Sequence, residues 1–413
     1  MRVVSSQLTV WLVPASLWLI ASLPGCSRQR ELQACRIAER SCQEDVYYAV
    51  VRLRGDGWDP FEGVPPIRTI TADAYRDELT PDEVPEPPEP GAEPEPPPVE
   101  PWDVALRWLG LVKPTSTAPE AAIDNSVNNV AAYYAPDEQS VTVIAHDGDD
   151  LVDNRWDTVL LVHELVHAFQ DNEVSAAPAG LTTDGGFAGT ALIEGEARLY
   201  QDLARAEIDG VAALNWDWHA EVTGSVEWRR AQLPGSGATF YDVKWHAYDL
   251  GTDVLMDGWL RGGNAAVRAL ADTFPQSAVE LMARYERVEL DRAARLDCRV
   301  EPPEQSFELA GHDRFGAMQL YGFLTAAGGH EPDAWRTALD WRDDLLWLYF
   351  DEQSEQVALS WRIRLASVAA ADAVVALAGQ VPMLRAERTG NDALIVGSEA
   401  ALADWPGAVD CER

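Results

Sequence analysis

The chain has 413 residues, a length that suits one or two globular domains. Hydrophobic residues make up 47% of it and charged residues 24%, and these ordinary globular values exclude wholesale disorder, collagen and coiled coil. The formal net charge is −36. Because so acidic a surface repels phosphate backbones and the sequence contains no basic patch, nucleic acid is excluded as a partner.

Residues 1–25 have the features of an export signal. Their apolar stretch, residues 8–23, is shorter than the ~20 residues that a membrane-spanning helix needs. Residues 23–26 read Leu-Pro-Gly-Cys and resemble the lipobox of bacterial lipoproteins. That resemblance implies a lipid on Cys26 that anchors the chain in the bacterial cell envelope. Since Ser27 follows in place of an aspartate, it also implies the outer membrane. The alternative is an ordinary secretory signal with a chance cysteine.

Four further cysteines are expected to be structural. An even number in an exported chain predicts two disulfides, with three possible pairings. The most local pairing joins Cys35 to Cys42 and Cys298 to Cys411.

Composition divides the rest of the chain into four parts. Residues 26–80 are expected to form a tether and N-terminal segment, with residues 45–54 as a strand or amphipathic helix and residues 70–78 as a short helix. Residues 81–101 are rich in proline and glutamate, which predicts a solvated linker or insertion. The remaining parts are a larger domain over 102–297 and a smaller α+β subdomain over 298–413.

Hydrophobic periodicity predicts the elements of the last two parts. A β-hairpin comes first, with strands over 128–134 and 141–145. Helices are predicted over residues 155–172, 190–208, 243–260, 264–273 and 370–377, and a second hairpin over 345–350 and 357–363. The fold class is therefore α+β, with a mainly helical middle.

The helix predicted over 155–172 carries the clearest chemical motif. Residues 163–167 read His-Glu-Leu-Val-His, the HExxH pattern. Residues four apart share one helix face, so His163 and His167 can both bind one Zn²⁺. Glu164 projects beside them and can act as general base towards the water that the metal activates. The alternative is two histidines and a glutamate on the polar face of an ordinary helix.

The third ligand is expected on the next helix. Residues 194–197 read Glu-Gly-Glu-Ala and resemble the third-ligand segment of gluzincins, the HExxH…E metallopeptidases. The resemblance implies a zincin-like core in which Glu194 completes the zinc site and Gly195 permits the close approach of two helices. Glu196 is a competing ligand. Alternatively, Glu194 forms an ion pair with Arg198, or Arg198 orients the ligand carboxylate. The residues after His167 lack the metzincin pattern.

The likeness extends over residues 125–290. The hairpin before the zinc helix resembles the substrate-lining edge strand of gluzincins, and that class uses a tyrosine or histidine to stabilise the oxyanion. Tyr241, His246 and Tyr248 cluster in sequence, and Tyr248 is favoured over His246 because its helix is expected beside the site.

These features together predict a lipid-anchored zinc peptidase with one Zn²⁺ per chain that acts on a peptide or protein. A non-catalytic scaffold lipoprotein with a structural or vestigial zinc site is the main alternative. A zinc hydrolase of peptidoglycan crosslinks is another. The sequence does not determine the oligomeric state.

Overall fold

The computed structural model describes residues 31–55, 63–80, 99–145, 154–173, 182–237, 239–291, 295–398, 405 and 407. It confirms the α+β class, and residues from Leu32 onwards form one compact unit. The expected signal peptide, Cys26 and most of the proline–glutamate tract lie outside the described residues. Among those that are described, no helix is both long and apolar enough to cross a membrane.

Helices make up most of the regular structure. Their bounds are α1 (Arg40–Arg54), α2 (Ala72–Leu79), α3 (Pro101–Trp108), α4 (Ala118–Asn129), α5 (Asn154–Glu173), α6 (Thr183–Ile208), α7 (Trp218–Gln232), α8 (Thr239–Asp242), α9 (His246–Leu270), α10 (Ala278–Tyr285), α11 (Gly316–Ala326), α12 (Glu331–Leu339) and α13 (Val368–Ala378).

The strands form two sheets. The first has the order β1-β3-β2, from β1 (Ile67–Thr71), β2 (Ala132–Ala135) and β3 (Ser140–Ala145). The second has the order β4-β5-β6-β8-β7 and is antiparallel throughout, from β4 (Glu308–Asp313), β5 (Trp341–Asp351), β6 (Gln356–Leu365), β7 (Leu384–Thr389) and β8 (Asp392–Ser398).

The second predicted hairpin is confirmed, and the first is confirmed with a later start, since residues 128 and 129 end α4 and β2 begins at Ala132. In the first sheet β2 pairs antiparallel with β3 and leaves β2 as an edge strand. The sequence did not reveal β1, which pairs in parallel with β3 from a distant part of the chain. In the second sheet β5 and β6 form the longer hairpin, and α13 packs against it near the predicted place.

The N-terminal segment contributes to the main core. Residues 45–54, for which strand and helix were both open, belong to α1, which begins earlier, at Arg40. Val46, Tyr47 and Val50 of α1 are fully buried, and the Tyr47 ring packs 5.7 Å from that of Phe169. Helix α1 therefore supports α5 directly. The domain boundaries drawn from composition stay predictions.

The predicted local disulfide is present. Cys35 and Cys42 are joined, with their Cα atoms 5.6 Å apart. Cys298 is also disulfide-bonded, and its expected partner Cys411 lies outside the described residues.

Helices α6 and α9 cross at very short range. A Cβ atom on Gly195 would lie 2.5 Å from the backbone of Gly251, and one on Gly251 would lie 1.8 Å from the Ala191 carbonyl oxygen. The expectation for Gly195 was therefore right in kind, but the closely approaching partner is α9 and not the helix of the HExxH motif. Helix α6 also begins seven residues before its predicted start, with Thr182 as its N-cap.

Two aspartates, Asp184 on α6 and Asp344 on β5, are buried. Asp184 accepts a hydrogen bond from the Ala278 N–H at 2.9 Å, and Asp344 accepts hydrogen bonds from the Phe315 N–H and the Trp361 indole. Burial raises the pKa of each carboxyl to about 7, although these hydrogen bonds oppose the shift. Both groups therefore bind protons more tightly in the folded chain than in the unfolded one.

This arrangement predicts how stability depends on pH. An unfolded aspartate has a pKa of 3.8, so the native state holds the extra protons between about pH 4 and pH 7 and loses stability as the pH rises through that window. We expect Asp184→Asn to reduce the slope of the free energy of unfolding against pH by up to about 1.4 kcal/mol per pH unit. Urea unfolding at a series of pH values measures it. The exposed Asp124→Asn is the control, and an unchanged slope in Asp184→Asn would contradict the assignment.

Candidate metal centre

The HExxH residues lie in the middle of α5, as predicted. Neighbouring side chains Leu161, Val162, Leu165 and Val166 are buried almost completely, which fixes the helix within the core. His163 and His167 consequently project side by side, with their ring centroids 4.8 Å apart. The local period of the helix and its apolar environment together hold the two imidazoles rigidly.

Glu194 reaches the same point from α6. Its Oε2 lies 3.2 Å from the Nε2 of His163 and 3.2 Å from the Nε2 of His167. Two ligand atoms bound tetrahedrally at about 2.0–2.1 Å from one ion stand roughly 3.3 Å apart, so these separations suit a metal of that geometry. The three residues thus form a group that can hold a metal ion, and we call His163, His167 and Glu194 the metal-binding group. Two imidazoles with one carboxylate are a donor set that fits Zn²⁺.

Both imidazoles are held in the tautomer that metal binding requires. The Nδ1 of His163 lies 3.0 Å from the Gln201 side-chain oxygen, and the Nδ1 of His167 lies 2.8 Å from that of Gln170. An amide oxygen can only accept, so each Nδ1 carries the proton. In the neutral imidazole that binds a metal, each Nε2 would then offer its lone pair at the common point.

Glu196, the competing ligand, has a different role. Its carboxylate accepts hydrogen bonds from the Gln170 side-chain nitrogen and from Arg54, both at 2.9 Å. Gln170 in turn holds His167. A hydrogen-bonded chain thus runs from α1 through Glu196 and Gln170 to the His167 imidazole, and Glu196 supports the group without joining it.

Arg198 does not pair with Glu194. Its guanidinium lies 3.0 Å from Asp202, one turn further along α6, and 3.7 Å from Glu221. Both roles that the sequence left open for Arg198 at the ligand carboxylate are therefore wrong.

The glutamine contacts predict an effect on metal affinity. Gln201→Leu keeps the volume but removes the acceptor at the His163 Nδ1, so we expect zinc binding to weaken by about 10- to 100-fold. Gln201→Glu restores an acceptor and should recover the affinity. Competition with a chromophoric chelator measures both. Equal affinities in the wild type and the leucine variant would show that Gln201 does not orient His163.

Glu164 lies beside the group and is almost completely buried. Burial raises the pKa of this carboxyl, and the two neighbouring histidines oppose the shift. It also accepts a hydrogen bond from the backbone N–H of Tyr134 in edge strand β2. The strand, the glutamate and the metal-binding group are therefore next to one another.

Of the two proposed oxyanion donors, the structure brings only Tyr248 to the group. Its ring stacks on that of His163 with the centroids 5.9 Å apart, and its phenol hydrogen-bonds Glu194. Burial and the nearby carboxylates raise the pKa of Tyr248 well above its usual range, so the phenol keeps its proton. The ring of His246 packs instead against Tyr321 and Trp335.

The other two aromatic candidates, His246 and Tyr241, have partners elsewhere in the fold. His246 is fully buried, which lowers its pKa to about 4 and keeps the imidazole neutral. Tyr241 donates to the Ala118 carbonyl at 2.8 Å. Both side chains serve the packing of α9 and α4.

Some neighbours of the group escaped the sequence analysis. Gln170 and Gln201 follow His167 and Glu194 by three and seven residues on the same helices, a helical spacing that could have identified them. Lys244 carried no such signal in the sequence. Burial lowers the pKa of its ammonium, and the attraction to Glu194 that makes it a neighbour of the group opposes that shift.

A cavity of about 110 Å³ opens near Tyr248. Its walls include Trp245, whose ring lies 5.3 Å from that of Tyr248, together with Trp228 and Arg229. Comparison with protein-family models, with curated proteins and with solved structures finds no match to this chain.

Proposed function

We propose that the protein is a zinc-dependent endopeptidase-like hydrolase, anchored by lipid at the bacterial cell envelope. The observation that carries the proposal is the convergence of the His163, His167 and Glu194 donor atoms, with Glu164 beside them. A site with only a structural metal has no need of that second, buried carboxylate.

A zinc ion held by these three residues would supply an activated water and polarise the scissile carbonyl. Glu164 is placed to accept a proton from the attacking water and to return it to the leaving amine. Its raised pKa suits a group that must both take and give a proton near neutral pH. Tyr248 keeps its proton, and its hydroxyl can turn from Glu194 to donate a hydrogen bond to the developing oxyanion.

The position of β2 supports a polypeptide substrate. It is the edge strand of its sheet, and the N–H of Tyr134 already points to Glu164. An extended peptide can add to such an edge through backbone hydrogen bonds. A peptide placed there would pass close to the general base.

Metal content tests the proposal first. We expect one zinc per full-length chain, and its loss or marked weakening in His163→Ala and Glu194→Ala. His330→Ala is a suitable control, since that histidine is exposed and its ring pairs with Asp333, three residues further on in the chain. A wild-type chain without zinc after reconstitution would reject the hydrolase and favour the scaffold.

Activity then separates the enzyme from a zinc-containing scaffold. Cleavage of a denatured protein, inhibited by a chelator and restored by zinc, is the expected result. Digestion of purified cell wall without cleavage of protein would point to peptidoglycan crosslinks.

A further inference from the structure

We infer that the cavity near Tyr248 binds a neutral sugar ring, and that Trp228 is the platform on which this ring stacks. We call the cavity, whose lining includes Trp228, Gln232 and Trp245, the aromatic cavity. Its lining does not include the three residues of the metal-binding group. The aromatic cavity is therefore a binding site in its own right.

The size of the aromatic cavity suits one ring. Its volume is about 110 Å³. One water needs about 10–15 Å³ on the same scale, so the cavity has room for about 7 to 11 groups of that size. A six-membered sugar ring with its substituents is a ligand of this size, and so is a large amino-acid side chain. The chemistry of the lining distinguishes between them.

Two tryptophans supply the surface for stacking. Trp228 on α7 is 61% exposed. Trp245 is half-buried and held in place, because its indole N–H donates to the Asn125 side chain at 3.2 Å and its ring packs 5.3 Å from that of Tyr248. The face of an indole is apolar and carries partial negative charge, which attracts the C–H groups on the face of a sugar. An indole that is exposed beside a cavity offers such a face without rearrangement.

Most of the remaining lining is polar. Gln232 follows Trp228 by four residues and so shares its face of α7, and Asn129 ends α4. Both amides are exposed, and each can donate and accept hydrogen bonds. Ser236 and Asp242 add further oxygen atoms. An apolar side chain would desolvate these groups without pairing them, whereas a sugar ring carries a hydroxyl on nearly every carbon and can pair with several at once.

The charged groups of the lining already have counter-charges in the chain. Arg229 pairs with the buried Asp249 at 2.6 Å. Burial raises the pKa of Asp242, and the positive charges of Lys113 and Lys244 oppose that shift. Because each charge has a compensating neighbour, a charged ligand gains little in the aromatic cavity and loses its hydration.

Cationic and anionic ligands are disfavoured for further reasons. The guanidinium of Arg229 lies 5.9 Å from the centre of the Trp228 ring, and the ammonium of Lys244 lies 5.1 Å from that of Trp245. A cationic ligand would meet these charges at the rings that attract it. Nucleotides and other phosphates are repelled by a net charge of −36. A neutral ligand with apolar faces and a polar edge is left, and a sugar ring has that form.

Two ring contacts connect the aromatic cavity to the metal-binding group. The Trp245 ring lies 5.3 Å from that of Tyr248, which stacks 5.9 Å from that of His163. A sugar bound in the cavity therefore lies on the Tyr248 side of the group. Together with the proposed hydrolase, this position indicates a peptide that carries a glycan as the substrate. That consequence rests on the proposed function, whereas the sugar site itself does not.

Calorimetric titration of the full-length chain with cellotriose and with chitotriose tests the inference. Both are neutral, and their rings have axial hydrogens that leave flat C–H faces for stacking. We expect at least one of them to bind, and Trp228→Ala to weaken its binding by at least about tenfold. Gln232→Ala should weaken it as well. Trp156→Ala is the control, because Trp156 is 50% exposed but does not line the cavity. No binding of either sugar to the wild type, or equal binding to Trp228→Ala, would overturn the inference.

The same titration on the zinc-free chain separates the two proposals. Since no residue of the metal-binding group lines the aromatic cavity, we expect the affinity for sugar to stay unchanged. A chain that binds sugar but takes up no zinc would support the sugar site and reject the hydrolase. A chain that takes up zinc but binds neither trisaccharide would overturn the sugar site and leave the metal centre intact.

Discussion

Glu164→Gln is expected to bind zinc like the wild type and to lose nearly all turnover. The substitution preserves the size of the side chain and an oxygen that can accept from the Tyr134 N–H, so the surroundings of the metal-binding group stay unchanged. What it removes is the capacity to take a proton from water. Because general base catalysis contributes about 10²- to 10⁴-fold, we expect kcat to fall by that range. Steady-state kinetics and metal analysis on one preparation measure both effects.

The exposed Glu138, in the turn between β2 and β3, provides the control. Glu138→Gln changes a carboxylate near β2 without touching the metal-binding group, so its kcat should match the wild type. Undiminished turnover in Glu164→Gln would mean that another group is the base. Loss of zinc in that variant would mean that Glu164 helps to hold the metal.

Gly251→Ala is expected to be among the most destabilising single-methyl additions in the chain. The new Cβ would lie 1.8 Å from the Ala191 carbonyl oxygen, and that oxygen belongs to the rigid backbone of α6. The helices must separate to relieve the clash, at a cost of about 3 kcal/mol or more in the free energy of unfolding. Glu194 lies one turn beyond Ala191, so zinc affinity should fall as well.

Gly189→Ala on α6 is the matched control. Among the described residues, no heavy atom lies within 4 Å of the Cβ that it would add, and alanine favours helix over glycine by about 1 kcal/mol. We therefore expect unchanged or increased stability and normal zinc binding. Urea denaturation of both variants measures the difference, and similar stabilities would show that the α6–α9 contact can relax.

The elements that the sequence located best depend on local patterns. The HExxH helix combines an i, i+4 pair with a strong apolar remainder, and the first hairpin alternates around a short polar turn. Such signals are contained in a window of a few residues, so they are readable without knowledge of the rest of the chain. The assignment of Glu194 needed more, namely the resemblance of its segment to gluzincins.

Contacts between residues far apart in the chain could not be predicted from such local patterns. Strand β1 is short, and its parallel partner β3 lies beyond the proline–glutamate tract and three helices. The role of Gly195 was recognised from its size, but which helix approaches it depends on how α9 packs. In both cases the decisive contact comes from residues far away in the chain.

Two pairs of candidate residues show most clearly what the sequence determines and what it leaves to the tertiary structure. Glu194 and Glu196 are two residues apart on one helix, as are His246 and Tyr248 near the start of another. Two helical residues differ by about 200° around the axis, so the sequence by itself determined that only one member of each pair can face the metal-binding group. Tertiary structure decided which one: the packing of α6 and α9 fixes their rotation and directs Glu194 and Tyr248 inwards to the histidines.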